Sequence, residues 1–208
     1  MLPYHGLPTK KSYAFKSKAE LAIEKFASKE NPTQIDLNTV LVVGQVEQGL
    51  AEMMGYIADG WGMSRPELER EIHDSQKLGE RMEASGDARP HKTKCHAHAI
   101  ISGGHAKAVT LRAILAKFGI RIDDSDNGCW LPENTAAIKE MPKRLKTAVP
   151  HSRIHRNNYY FWLGSYIKMS KTTDESYLRF QLSMVENALQ NSTFPPYVML
   201  SASKEYQP

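Results

Sequence analysis

The sequence predicts an α+β protein, mainly α, in which a small strand-bearing core is flanked by N-terminal helices and a C-terminal helix. Helical recurrence of apolar residues, at spacings of three and four, fills the long stretches before and after the centre. Alternation of period two is confined to "CHAHAIIS" (95–102), and a second short apolar run, "CWL" (129–131), follows an Asn-Gly pair. Turn residues cluster between these two runs.

Taken in order, "SKAELAIEKFASKE" (17–30) and "LNTVLVVGQVEQGLAEMMGYIADG" (37–60) read as helices, the second with Asp36 as its N-cap. Trp61, Gly62 and Met63 read as a connection. Ser64, Pro66 and Glu67 form a capping-box pattern ahead of a third helix over 64–85. "GDARPHKTK" (86–94) is the candidate boundary, which divides the chain into a helical lobe (1–88), a core (89–168) and a C-terminal helix with its tail (169–208). Within the core, 95–102 reads as a strand, Gly103 and Gly104 as a turn, and 105–118 as a helix stopped by Gly119. Asn127-Gly128 reads as a hairpin turn into the second strand. Pro150 stands near the start of a helix running to 168, and Thr173 is the expected N-cap of a terminal helix over 170–191.

A chain of 208 residues, 41% of them apolar, can bury one sizeable core and at most a second small lobe. Two cysteines, Cys95 and Cys129, form no disulfide framework and suit a reducing compartment. No stretch has the eighteen or so apolar residues of a membrane span, and the opening "MLPYHGLPTKKSYAFKSK" lacks the apolar centre of a signal peptide. Any export is therefore expected to use a route that reads no cleavable leader.

The net charge of +4 is unevenly placed. Residues 1–90 hold 11 Lys and Arg against 14 Asp and Glu, residues 91–168 hold 13 against 5, and residues 169–208 hold 3 against 4. Six of the eight histidines also lie in the basic middle segment. Such a concentration suits a polyanionic partner, although a solvated basic face would look the same.

In an extended strand His96 and His98 share one face and Cys95, Ala97 and Ala99 the other. His151 and His155 stand at i and i+4, a spacing at which two histidines on a helix can hold one metal ion. The chain therefore orders a strand histidine, a turn asparagine (Asn127) and a helical histidine pair inside its basic segment. Arg112, Arg153 and Arg156 are candidate phosphate contacts, and Tyr159 a candidate base-stacking residue. Cys95 and Cys129 belong to no CxxC pair and read as buried packing.

"AHAIISGG" (97–104), "LRAILAKFGIRIDDSDNGCWLP" (111–132) and "HSRIHRNNYY" (151–160) together resemble the AHH nucleases of the HNH and endonuclease-VII-like (His-Me finger) superfamily. The resemblance covers about a third of the chain, 95–167, and residues 1–90 resemble nothing we can name. It implies a ββα-metal core and metal-dependent hydrolysis of nucleic-acid phosphodiesters, with DNA favoured over RNA and Mg²⁺, Mn²⁺ or Zn²⁺ as the ion. Relatives of this kind are often antibacterial effectors. That implies a protein cytoplasmic in its producer, exported and delivered into a target bacterial cell, with a cognate immunity protein and a secretion-apparatus component as partners and no membrane association.

One position departs from the pattern. The family's second histidine, its usual general base, is Ala99 here. Three readings follow: His98 is itself the base while Asn127 and one or both of His151 and His155 hold the metal; or His98 is a ligand with His151 and His155, and His96 or His105 acts as base; or the chain is a catalytically inactive nucleic-acid- or partner-binding module.

Overall fold

The computed structural model describes residues 16–91 and 94–200; most of the opening stretch read for a leader lies outside them. The chain divides between Gln48 and Gly49 into two compact units. In the first, α1 (Lys18–Ala27) begins at a Ser17–Glu20 capping box, and Glu47 accepts hydrogen bonds from the backbone N–H groups of Lys18 and Ala19 (2.9 and 3.0 Å). No residue of α1 is buried. Helix α2 (Gln34–Gly62) starts earlier and ends later than its periodicity suggests. Asp36 sits inside its first turn, where its carboxylate accepts from the Thr33 backbone and hydroxyl, so Thr33 rather than Asp36 opens the helix.

The second unit carries the core. The capping-box pattern at Ser64 starts α3 (Arg65–Arg70), with Glu67 accepting from the Ser64 N–H at 2.7 Å. The single helix expected over 64–85 is two. Residues 71–74 break it, and Asp74 caps α4 (Ser75–Ala84) by accepting from Gln76 and Lys77. Tertiary contacts cause the break: the Glu71 carboxylate turns away to the Arg121 guanidinium and the Ile122 N–H, and Asp123 accepts from the Asp74 N–H at 2.9 Å.

Strand β1 (Cys95–Ala99) is followed by α5 (Val109–Lys117), which stops at Gly119 in the left-handed region (φ 73°). Strand β2 (Gly128–Pro132) pairs antiparallel with β1, His98 opposite Cys129 and Ala99 opposite Gly128. The Asn127-Gly128 pair is not the hairpin turn its sequence suggests. Gly128 has φ −106°, and the strands are joined by the whole 100–127 segment. Gly128 serves packing instead, since a Cβ there would meet Met82 Sδ at 2.5 Å.

A single helix expected over 150–168 is again two: α6 (His151–Ile154) and α7 (Asn157–Tyr166), interrupted at His155 and Arg156. Helix α8 (Glu175–Asn191) is capped by Asp174, which accepts from the Tyr177 N–H at 2.8 Å; Thr173 only hydrogen-bonds that carboxylate. Its contacts run to β2 and to the turns at 125–127 and 143–145. One continuous core results, in which Trp130, Leu131 and Cys129 of β2 meet Leu78 and Met82 of α4 on one side and Leu182, Val185 and Leu189 of α8 on another.

Candidate metal centre

His96 and His98 project from the same face of β1, and α6 brings His151 over both, with ring centroids 5.2 and 5.4 Å away. His155, just past the end of α6, lies 4.9 Å from the His98 ring. Each of His98, His151 and His155 offers a ring nitrogen, and these nitrogens lie within 4.8 Å of one another. The Nε2 atoms of His151 and His155 are 3.4 Å apart. Two nitrogens on a tetrahedral ion at about 2.1 Å stand about 3.4 Å from each other, so the pair already has the spacing of a coordination edge.

The protonation states agree with that use. Burial, then the neighbouring imidazoles His155 and His151, holds His98 well below the ordinary histidine value. His151 is pulled down to about 4 by burial, then His155 and His96, and His155 is lowered chiefly by burial. All three are neutral near pH 7, the form that donates a lone pair to a cation. His98 Nδ1 is buried and has no hydrogen-bond partner among the described residues. Such an orphaned polar atom is costly unless something satisfies it.

Two tyrosines hold the rings. The Tyr159 hydroxyl donates to the Ile100 carbonyl (2.8 Å) and lies 3.4 Å from His98 Nε2, while the Tyr160 hydroxyl lies 3.0 Å from His155 Nδ1. An orienting partner on the second nitrogen of a ligand histidine fixes its tautomer and aim. A buried His98 nitrogen without a partner among the described residues, a neutral donor set and preset spacing therefore fit a divalent cation at His98, His151 and His155.

The remaining expected site residues fare differently. Asn127 is fully buried, and its carboxamide is engaged by backbone: Oδ1 accepts from Ile101 N–H (2.9 Å) and Nδ2 donates to the carbonyls of Ile101 (3.1 Å) and Ile122 (2.8 Å). It clamps the loop after β1 and stands outside the ligand trio. Arg112 donates through Nη1 to the carbonyls of Ser102 and His105, and Arg156 through Nη1 to those of Met199 and Leu200, so each guanidinium is tied to the chain at that nitrogen. Tyr159 is buried beneath His98 and offers no face for a base. Arg153 is exposed on α6, between His151 and His155 in the chain. His105 accepts from the Lys107 N–H and stacks on Tyr160 at 4.1 Å. His96 is exposed beside His151. Cys95 and Cys129 are buried free thiols, Cys95 pushed up to about 12 by burial.

A cleft of about 920 Å³ opens over this site, lined among others by His96, Ala99, His151, His155, Arg89 and His73. His73 was not a candidate from sequence. It lies in the 71–74 break with Nδ1 on the Asp123 carboxylate, and an isolated histidine in "EIHDSQ" carries no motif that marks it.

Two antiparallel strands and a following helical turn that converge imidazoles define a ββα-type candidate metal centre. The model of AHH, a nuclease family of the HNH/ENDO VII superfamily with conserved AHH, matches residues 79–186, and the chain belongs to that family. It is thus a nuclease of that superfamily, whose members use divalent metals and act on nucleic acid. No curated protein and no solved structure gives a match.

Proposed function

We propose that this chain is a divalent-metal-dependent endonuclease acting on DNA, with His98, His151 and His155 as the protein ligands. The observation that carries the reading is the trio of neutral imidazoles within 4.8 Å of one another, two of which, His151 and His155, line an open cleft while His98 is buried. A bound cation would stabilise charge on the scissile phosphate and the leaving oxygen. The protein's own part is to hold three lone pairs at one point, with Tyr160 aiming His155 and the Asn127 clamp setting the loop after His98. Exposed Lys107, Lys143 and Arg153 supply sequence-independent attraction for phosphates. DNA as the preferred substrate, the effector role, delivery into a target bacterial cell and blockade by an immunity protein rest on family resemblance alone.

Ala99 favours a second reading, a binding module that has lost its chemistry. One experiment separates the two. Supercoiled plasmid, linear DNA and an RNA transcript are incubated with the metal-loaded protein under Mg²⁺, Mn²⁺ or Zn²⁺, beside His98→Ala. Cleavage of DNA that chelator and His98→Ala both abolish is expected; RNA cleavage alone would reassign the substrate, and binding without cleavage under every ion would favour the inactive module.

A further inference from the structure

Resting on the nuclease reading, we propose that His73, oriented by Asp123, is the general base that stands in for the histidine missing at Ala99. Four observations converge on it. First, the imidazole is held at one nitrogen only: Nδ1 pairs with the Asp123 carboxylate, and Nε2 has no hydrogen-bond partner among the described residues. A carboxylate on Nδ1 keeps the proton there and leaves the Nε2 lone pair outward, the arrangement a histidine base needs. Second, Asp123 is itself anchored. It is 3% exposed, its other oxygen accepts from the Asp74 N–H at 2.9 Å, Arg81 stands 3.8 Å away, and its own N–H donates to the Tyr56 hydroxyl at 3.0 Å.

Third, the backbone is shaped around the ring. A Cβ at Gly103 would fall 2.5 Å from the His73 Cβ, so only glycine lets the loop after β1 close on this histidine. Fourth, His73 and Ala99 line the same cleft as His151 and His155. The alternatives are less suited. His105 accepts at Nδ1, which leaves the proton on its Nε2, and its face is stacked on Tyr160; His96 lies on the ligand face of β1, against His151, with no carboxylate partner among the described residues.

In the step proposed, Nε2 of His73 takes a proton from water while the water oxygen bonds to phosphorus. The bond from phosphorus to the leaving sugar oxygen breaks, and that oxygen keeps the electron pair and is protonated from solvent. Asp123 does not touch substrate; it positions His73 and stabilises its protonated form.

The test compares full-length wild type, His73→Gln, His73→Ala, Asp123→Asn and His96→Ala for plasmid cleavage and for Zn²⁺ or Mn²⁺ affinity. Loss of a base costs about 10²–10⁴-fold in rate. The expected result is a kcat lowered at least about 100-fold in both His73 variants and about tenfold in Asp123→Asn, with KM and metal affinity within about twofold of wild type. Regain of at least about tenfold on adding Ala99→His to His73→Ala would place the two histidines in one role. A wild type that cleaves beside a His73→Gln that cleaves as fast overturns the base assignment, as does loss confined to His96→Ala. A wild type that cleaves nothing with metal bound fails at the nuclease reading instead.

Discussion

His155 Nδ1 lies 3.0 Å from the Tyr160 hydroxyl, and its Nε2 faces His151 Nε2 at 3.4 Å. The ring is therefore aimed by a residue on α7 while its ligand nitrogen points at α6. Removing only that hydroxyl, by Tyr160→Phe, should weaken metal affinity about 10- to 100-fold without unfolding the protein. Calorimetric titration with Zn²⁺ reads the change, and an unaltered affinity would show that Tyr160 merely packs against His105.

Asn127 predicts a stability effect that does not need metal. Its three side-chain hydrogen bonds join residues 101 and 122, and each is buried. At about 1 kcal/mol net apiece, plus the cost of orphaned backbone groups, Asn127→Ala should lose about 3–5 kcal/mol. That corresponds to a fall of roughly 10 °C in Tm. Asn127→Asp should fare little better, because a carboxylate cannot donate to two carbonyls. Melting of the metal-free variants is the check: a loss that appears only in metal-loaded protein would make Asn127 a ligand.

The histidine cluster makes the metal-free fold acid-sensitive. His151 is lowered to about 4 from 6.5, so between those values the unfolded chain binds its proton more readily than the folded one. The stability it contributes is full above about pH 6.5 and declines as pH falls toward 4. Wild type should accordingly lose several degrees of Tm relative to His151→Ala between pH 7 and 4.5. A constant gap across that range would contradict the depressed value.

Glu186 on α8 runs the other way. Burial, then the Asp87 charge, raises its carboxyl to about 7, against partial relief from Arg144 and Gln190. A raised acid contributes stability that is complete below about 4.5 and is lost as pH climbs through about 7. Glu186→Gln stays neutral, so its Tm should rise relative to wild type from pH 5 to pH 8, by a few degrees at the upper end. Parallel pH curves for the two proteins would refute the shift.

Features legible in the sequence have local causes, and those that were not have non-local ones. The histidine cluster was legible because its causes are largely local: alternation puts His96 and His98 on one face, and four-residue spacing leaves His155 beside His151 although it stands just past the end of α6. The glycine stop at 119 and the capping box at Ser64 were legible for the same reason. Carbonyl partners of Arg112 and Arg156 were not legible, because a guanidinium binds a carbonyl of its own chain as readily as a phosphate. Arg112 and Arg156 found theirs 7 to 44 residues away, at His105, Ser102, Met199 and Leu200.

The sequence by itself determined the class of the fold, the strand histidine, the helical histidine pair, and the gap at Ala99. Only the tertiary structure decided what surrounds that gap. The break at 71–74 exists because Glu71 is captured by Arg121 and the Asp74 backbone by Asp123, about fifty positions along the chain. That break carries His73 into the cleft and Gly103 lets the loop close on it. A stretch whose apolar periodicity favours one helix is interrupted by distant charged partners, and periodicity cannot register partners that only folding brings near.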